Sequence, residues 1–322
     1  MKARFHLPDF TENFNVNYLM VDMMEKLPQY FYDNIEIASV YGVFPPAIWN
    51  GGRFRRGRCS EDFIKQVINA FNSKGIPLRF SFTNVLLEEE HLKDEFCNKL
   101  MKMTDNGLNE VIVASPLLED YIRNTYPNFK VTSSTCKRIT DPEKLSEELA
   151  KDYHIVVLDY DLNNKFDILE KLDYKEKCEL LVNSYCRPNC KFRSEHYRVI
   201  GARQIAYNKH LNADPRNTDK NFNFHNFPEF SEYFESPSIN CDCASNTIFD
   251  IKKFPTHISP DAIFDTYMPM GFNQFKLEGR NVEMINLIEQ YLYYFTKPET
   301  RDEARYLFYV QLANRGLIKF QY

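Results

Sequence analysis

Short apolar segments rich in β-branched residues alternate with amphipathic segments along most of the chain. This alternation is typical of a parallel sheet with helices packed outside it. The strand-like segments are residues 4–7, 35–41, 78–84, 110–114, 130–134, 154–159, 179–183 and 272–277. Regular connections and one long insertion between the seventh and eighth strands join them, which predicts an α/β fold of the TIM-type (β/α)8 barrel. An open doubly wound sheet is disfavoured because no Gly-rich phosphate turn follows the first strand.

The segments between the strands carry helix signals. One helix is predicted from Ser60 to Lys74, since Ser60 is a fitting N-cap residue and Gly75 follows the last apolar position. Other helices are predicted over residues 88–102, 116–124, 141–150, 165–172 and 281–295. Clean periodicity is lost between the seventh and eighth strands. We therefore predict a single barrel domain over residues 1–322, with a cysteine-bearing insertion at 184–272 and a C-terminal extension at 296–322.

Composition narrows the class of protein. The chain has 322 residues, 43% of them hydrophobic, and no apolar run long enough to span a membrane. Its net charge of -5 argues against a general nucleic-acid binder, although a local basic site for an RNA is still compatible with it. The first ten residues lack the apolar core of a secretory signal, so a cytoplasmic protein with reduced cysteines is expected.

Two closely spaced cysteine pairs lie in the insertion. Cys186 and Cys190 follow the seventh strand, and Cys241-Asp242-Cys243 comes about fifty residues later. Four soft thiolates on loops over a barrel mouth can bind an iron–sulfur cluster or zinc, and three ligands with one open position are also compatible with this spacing. Zinc loops commonly use a two-residue spacer, which the first pair lacks. The alternative is that these thiols are unrelated residues of an insertion.

A basic loop follows the second strand. The segment from Asn50 to Arg58 contains the Gly51-Gly52 pair and four arginines, including Arg53. Glycines let backbone amides approach a ligand, and guanidinium groups bind carboxylates or phosphates bidentately. The segment therefore indicates an anion clamp, with a solvated loop as the alternative.

Polar residues also lie near the ends of other strands. In the third strand, alternation is expected to direct Arg79, Ser81 and Thr83 to one face, with Asn84 at its end. After the eighth strand, Glu278 is a candidate general base or a residue that orients Arg280. The alternative for Glu278 and Arg280 is that each pairs with a neighbour. His196 is a candidate acid or base, with a structural role as the alternative.

Three segments carry a resemblance to a known family. They are Phe275-Lys276-Leu277-Glu278-Gly279-Arg280, His257-Ile258-Ser259-Pro260-Asp261 and Cys186-x-x-x-Cys190-x-x-Arg193-x-x-His196-Tyr197. Together they resemble the collagenase-like peptidase superfamily, peptidase family U32, in a divergent branch with a cysteine segment. The family's usual peptidase cysteine patterns are absent.

The resemblance implies a TIM-like barrel, a 4Fe-4S cluster on cysteines, and oxygen-independent hydroxylation of RNA bases or of a quinone precursor with prephenate as oxygen donor. Carried onto this chain, it implies cluster ligation by Cys186 and Cys190, completed by Cys241 or Cys243. It also implies that Glu278 and Arg280 belong to the strand-end motif.

These observations lead to one expected function. We expect an iron–sulfur enzyme that performs oxygen-independent hydroxylation, or related redox or Lewis-acid chemistry, on a small anionic or nucleic-acid-derived substrate. The expected catalytic residues are Glu278 and His196. The expected substrate-binding residues are Asn50, Arg53, Arg79, Asn84, Arg193 and Arg280. The alternatives are a zinc-dependent hydrolase or peptidase with Glu278 as base, and an accessory subunit with a structural metal that acts with a protein partner or as a homo-oligomer.

Overall fold

Eight parallel strands form a closed barrel in this computed structural model, which describes residues 1–319. The strands are β1 Ala3–Pro8, β2 Ile35–Gly42, β3 Leu78–Phe82, β4 Glu110–Val113, β5 Lys130–Ser133, β6 Ile155–Val157, β7 Cys178–Leu181 and β8 Gln274–Lys276. They pair in chain order, and β8 closes the barrel by pairing with β1 in the register Phe5 to Phe275. The predicted (β/α)8 barrel is confirmed.

The helices lie between successive strands and after β8. They are α1 Phe14–Lys26, α2 Glu61–Asn72, α3 Glu95–Thr104, α4 Pro116–Thr125, α5 Pro142–Ala150, α6 Phe166–Leu169, α7 Arg193–Ala213, α8 Ile248–Ile251, α9 Pro260–Ala262, α10 Met284–Phe295 and α11 Arg301–Asn314. The Ser60 hydroxyl caps α2 by accepting a hydrogen bond from the Phe63 N–H, as predicted. No helix within residues 1–319 combines the length and apolarity that crossing a membrane requires.

Strand β3 shows how alternation sorts side chains between the barrel interior and the helix layer. Phe80 and Phe82 are fully buried and belong to the main apolar core, whereas Ser81 lines a cavity at the barrel mouth. Thr83, just beyond the strand, lines the same cavity. The predicted division of this strand into a polar and an apolar face is confirmed.

Several elements differ from the sequence-based predictions, among them three that bear on the site or its surroundings. The helix predicted over residues 88–102 is divided, because Asp94 ends a turn at Glu89–Lys93 and caps α3 by accepting from the Cys97 N–H at 2.7 Å. Strand β8 is shorter than predicted. Inside the insertion, where no periodicity indicated a helix, the 21-residue helix α7 is present.

Helix α7 lacks a periodic pattern because it is enclosed on several sides. Its buried residues include the apolar Val199, Ala202 and Ala206 but also the polar Gln204 and Asn208. The remainder of the insertion up to β8 contains short 3-10 turns, the one-turn helices α8 and α9, and a π-helix at Ile263–Tyr267.

The predicted C-terminal extension contains α11, which packs on α1 and α10 through Ala304, Phe308 and Leu312. The last three residues of the predicted range, 320–322, lie outside the described residues.

Candidate functional site

A cavity opens at the carboxyl ends of the strands and is called the inner cavity below. This is the end of a barrel at which active sites are built. The residues that line it are Tyr41, Gly52, Arg53, Ser81, Thr83, Ile112, Ser134, Thr135, Cys136, Tyr160, Leu181, Cys186, Tyr197, Lys276, Glu278 and Arg280.

The motif at the end of β8 contributes three of these side chains. Lys276, Glu278 and Arg280 are spaced two residues apart, so an extended backbone directs all three to the cavity. The Lys276 ammonium lies 3.2 Å from Glu179 Oε1 and 4.0 Å from the centre of the Tyr41 ring. Burial lowers the pKa of Lys276 to about 8, partly offset by the Glu179 carboxylate.

Two arginines line the inner cavity, and only Arg53 has an acidic partner, Glu278, in the described part of the chain. The Glu278 carboxylate pairs with Arg53 and accepts a hydrogen bond from the Tyr185 N–H at 3.0 Å. Arg280 has no carboxylate oxygen within 4.0 Å in the described part of the chain. Its Nη2 reaches only the Gly51 carbonyl at 3.4 Å, and its buried Nη1 has no partner. Arg280 is therefore available to an anion.

Hydroxyl groups in the cavity wall also lack partners. Thr83 Oγ1 and Thr135 Oγ1 are buried and form no hydrogen bond with any described residue. Because an unsatisfied buried polar atom costs free energy, such groups in a cavity wall favour a polar ligand that bonds to them.

The basic loop is held over the cavity by two asparagines. Asn50 Nδ2 donates to Gln204 of α7 at 2.9 Å and to the Arg53 carbonyl at 2.8 Å. Asn84 donates to the Ile48 carbonyl at 3.0 Å. A Cβ atom on Gly51 would lie 2.3 Å from the Thr83 carbonyl, so only glycine allows this close approach.

A second space, the outer cavity, adjoins the inner one. The two share the lining residues Arg53, Cys186, Glu278 and Arg280. The outer cavity adds His196, Cys241, Cys243, Arg56 and Arg203, among others. Burial, then Arg53 and Arg203, lower the pKa of His196 to about 4, so its imidazole is neutral at pH 7.

Three cysteines converge between the two cavities. The Cys186 thiol hydrogen bonds with Cys243, which lowers the pKa of Cys186, and Arg53 lowers it further. The ligand atoms of Cys241, Asp242 and Cys243 lie within 4.8 Å of one another. Cys190 borders an adjacent groove that also includes Cys241 and Cys243. No cysteine in residues 1–319 forms a disulfide, and this set of soft donors fits a thiophilic metal or cluster.

Four of the predicted binding residues lie behind the cavity walls. Asn50 and Asn84 fasten the basic loop, as described above. Arg79 is fully buried within the barrel, with Nη1 2.5 Å from Glu179 and Nε 3.1 Å from Glu110. Arg193 pairs with Asp159 and, at 3.2 Å, with Asp161. The charges of both arginines are already matched by carboxylates. None of the four residues lines either cavity, so their contact with a substrate stays a prediction.

Other lining residues carry no prediction from the sequence. Tyr41, Cys136 and Tyr160 come from separate loops and strands, and no local motif connects them. Lys276 is the exception, because its two-residue spacing from Glu278 and Arg280 is visible in the sequence.

Comparisons with known proteins agree with the resemblance. No protein-family model matches the chain. A curated relative, the uncharacterized protease MJ1657 of Methanocaldococcus jannaschii, is 23% identical over 211 residues, which are 64% of this chain. The aligned part spans only 57% of that relative's length.

Among solved structures, the U32 peptidase Mk0906 is similar over 87% of this chain and 93% of its own, with a TM-score of 0.46 and 13% identity. The fold assignment here depends on the strand pairing and not on that likeness. The sequence match to a protease-named relative agrees with the resemblance to the collagenase-like peptidase superfamily that the strand-end motif carries.

Proposed function

We propose that this chain is an iron–sulfur enzyme that acts on a small anionic substrate at the barrel mouth. One observation carries the proposal: Cys186 lines both cavities, in contact with Cys243 on one side and together with Arg280 on the other. A cluster on Cys186, Cys241 and Cys243, with Cys190 nearby, would therefore border the space in which an anion meets Arg280.

The chain's own residues have separable tasks in this proposal. Arg280 binds the anion, because it alone among the inner-cavity arginines has no carboxylate partner in the described residues. Glu278 keeps Arg53 in place beside Cys186. The hydroxyls of Thr83 and Thr135, which have no partner among the described residues, orient the polar groups of the substrate. When bound, an iron–sulfur cluster supplies redox or Lewis-acid chemistry.

The reaction proposed first is oxygen-independent hydroxylation, which the family resemblance supports. The second candidate is zinc-dependent hydrolysis, favoured by the name of the relative, a protease. In that candidate Glu278 is the general base. Because its carboxylate is engaged by Arg53 and the Tyr185 N–H, it must exchange one of these partners for water before it can take a proton.

Metal analysis of anaerobically purified protein tests the proposal. We expect iron and acid-labile sulfide with broad visible absorbance in the wild type, and loss of both in Cys186→Ser. Cys59→Ser is the matched control, because Cys59 is partly buried beside α2 and lines neither cavity. Zinc in place of iron would favour the second candidate. Absence of metal, or retention of iron in Cys186→Ser, would overturn the proposed ligation.

A further inference from the structure

Lys276 differs from the other cations of the site in having a primary amine at the base of the inner cavity. Its side chain is 9% exposed and lines the cavity. The Nζ atom lies over the Tyr41 ring, and the Arg280 guanidinium lies over the same ring with Cζ 5.8 Å from its centre. An amine and an unpaired guanidinium therefore share one aromatic surface within a polar cavity.

The acidic partner of Lys276 is shared with other groups. Glu179 lies 2.5 Å from Arg79 Nη1, 3.2 Å from Lys276 Nζ and 3.3 Å from His6 Nε2. Arg79 thus has the closest contact with this carboxylate, and Arg280 adds a further positive charge on the cavity side. Burial and neighbouring cations both favour the neutral amine, the nucleophilic form of a lysine.

We propose that Lys276 is a catalytic amine that forms an imine with the carbonyl carbon of a small 2-oxo acid, whose carboxylate pairs with Arg280. The inference rests on the proposed function, because it uses the same anion site and names the class of substrate. It does not require the metal.

The imine-forming step balances without an oxidant or reductant. The Lys276 nitrogen donates its lone pair to the carbonyl carbon, and a carbon–nitrogen bond forms. The two amine protons leave with the carbonyl oxygen as water. The Thr83 and Thr135 hydroxyls, which lack partners among the described residues, are available to hydrogen bond the oxygen as it leaves.

Reductive trapping tests the imine. The full chain, purified anaerobically, is incubated with pyruvate, glyoxylate or 2-oxoglutarate and sodium cyanoborohydride, and the modified lysines are located by peptide mass mapping. At pH 7 we expect the adduct at Lys276 to form at least about tenfold faster than at the exposed Lys209. Lactate, which has no carbonyl, is the negative probe.

Two variants identify the groups involved. Lys276→Arg keeps a positive charge beside Glu179 but cannot form an imine, so its fold is retained and its adduct is lost. Arg280→Gln keeps the amine but loses the carboxylate partner, so trapping at Lys276 slows by about tenfold. Circular dichroism and thermal unfolding confirm that each variant is folded.

The outcomes separate this inference from the proposed function. If none of the three oxo acids labels Lys276 faster than Lys209, the inference is wrong, whatever metal the protein holds. If Lys276 is labelled equally fast in Arg280→Gln, the assignment of the carboxylate partner is wrong. An adduct at Lys276 in protein without metal would uphold the inference while the iron–sulfur proposal fails.

Discussion

Glu179 is a fully buried carboxylate surrounded by positive charge and hydrogen-bond donors. Burial by itself raises the pKa of such a group, but Arg79, His6 and Lys276 together lower the pKa of Glu179 well below its usual range. Burial also lowers the pKa of His6 to about 3, so His6 is neutral at pH 7 and does not compete for the charge. The carboxylate is therefore ionised at pH 7.

We predict that Glu179→Gln lowers the free energy of unfolding at pH 7 by about 3–5 kcal/mol, because Arg79 and Lys276 then lose a buried partner. The lowered folded pKa means that the stabilisation is present above pH 4.5, the ordinary value, and is lost as the pH falls toward the folded pKa. Urea unfolding at pH 7 and in steps below pH 4.5 measures both effects. If the difference in the free energy of unfolding between wild type and Glu179→Gln stayed constant as the pH was lowered, the prediction would be wrong.

At the scale of elements, α7 is the part of the insertion that contacts the basic loop. The Gly57 N–H donates to the Tyr207 hydroxyl, and Arg58 donates to the Leu211 carbonyl, each at 2.8 Å. On the barrel side, Gly201 approaches the amide of Asn84 so closely that a Cβ atom would lie 2.4 Å from its Oδ1. The position of the whole helix over the barrel mouth depends on this contact.

We predict that Gly201→Ala destabilises the protein by about 1–3 kcal/mol, although alanine is the better helix former, because the methyl group collides with Asn84. In an Asn84→Ala background the same change should be nearly neutral, because the colliding oxygen is gone. A double-mutant cycle by urea unfolding measures this coupling. Additive effects of the two changes would show that the contact does not limit the packing of α7.

At the scale of the whole molecule, the barrel and the insertion differ in the size of the apolar core that stabilises them. The barrel has a continuous apolar core. The insertion beyond α7 has a small core in which Phe224 and Tyr233 pack against α7. Short turns with little buried apolar area unfold locally at low free energy. We therefore expect a metal bound to Cys186, Cys241 and Cys243 to supply much of the stability of this segment.

We predict that metal removal exposes the insertion to proteolysis without unfolding the barrel. Trypsin cleavage after the exposed Arg216 and Lys220 should become about tenfold faster in chelated protein, and equally fast in Cys186→Ser without chelator. Mass spectrometry of the fragments locates the cuts, and circular dichroism follows the barrel. Cleavage at the same rate with and without metal would mean that the cysteines do not hold this segment.

Local sequence patterns predicted the barrel and some of the residues at its mouth. Alternating strands and helices predicted eight parallel strands, and period-two alternation predicted the polar face of β3, because both depend only on neighbouring residues. The motif at residues 275–280 indicated Glu278 and Arg280 as cavity residues for the same reason. Helix α7 was missed because a helix covered on several sides has no amphipathic period.

Only the tertiary structure decided which charges are free. Arg79, Arg193 and Arg280 are equivalent by residue type, yet the first two meet carboxylates from distant strands and Arg280 meets none in the described residues. Likewise, contact of Cys186 with Cys243 and the position of Lys276 over Tyr41 depend on segments far apart in the chain. The sequence determined the barrel and the candidate groups, whereas long-range packing determined their partners and therefore their chemistry.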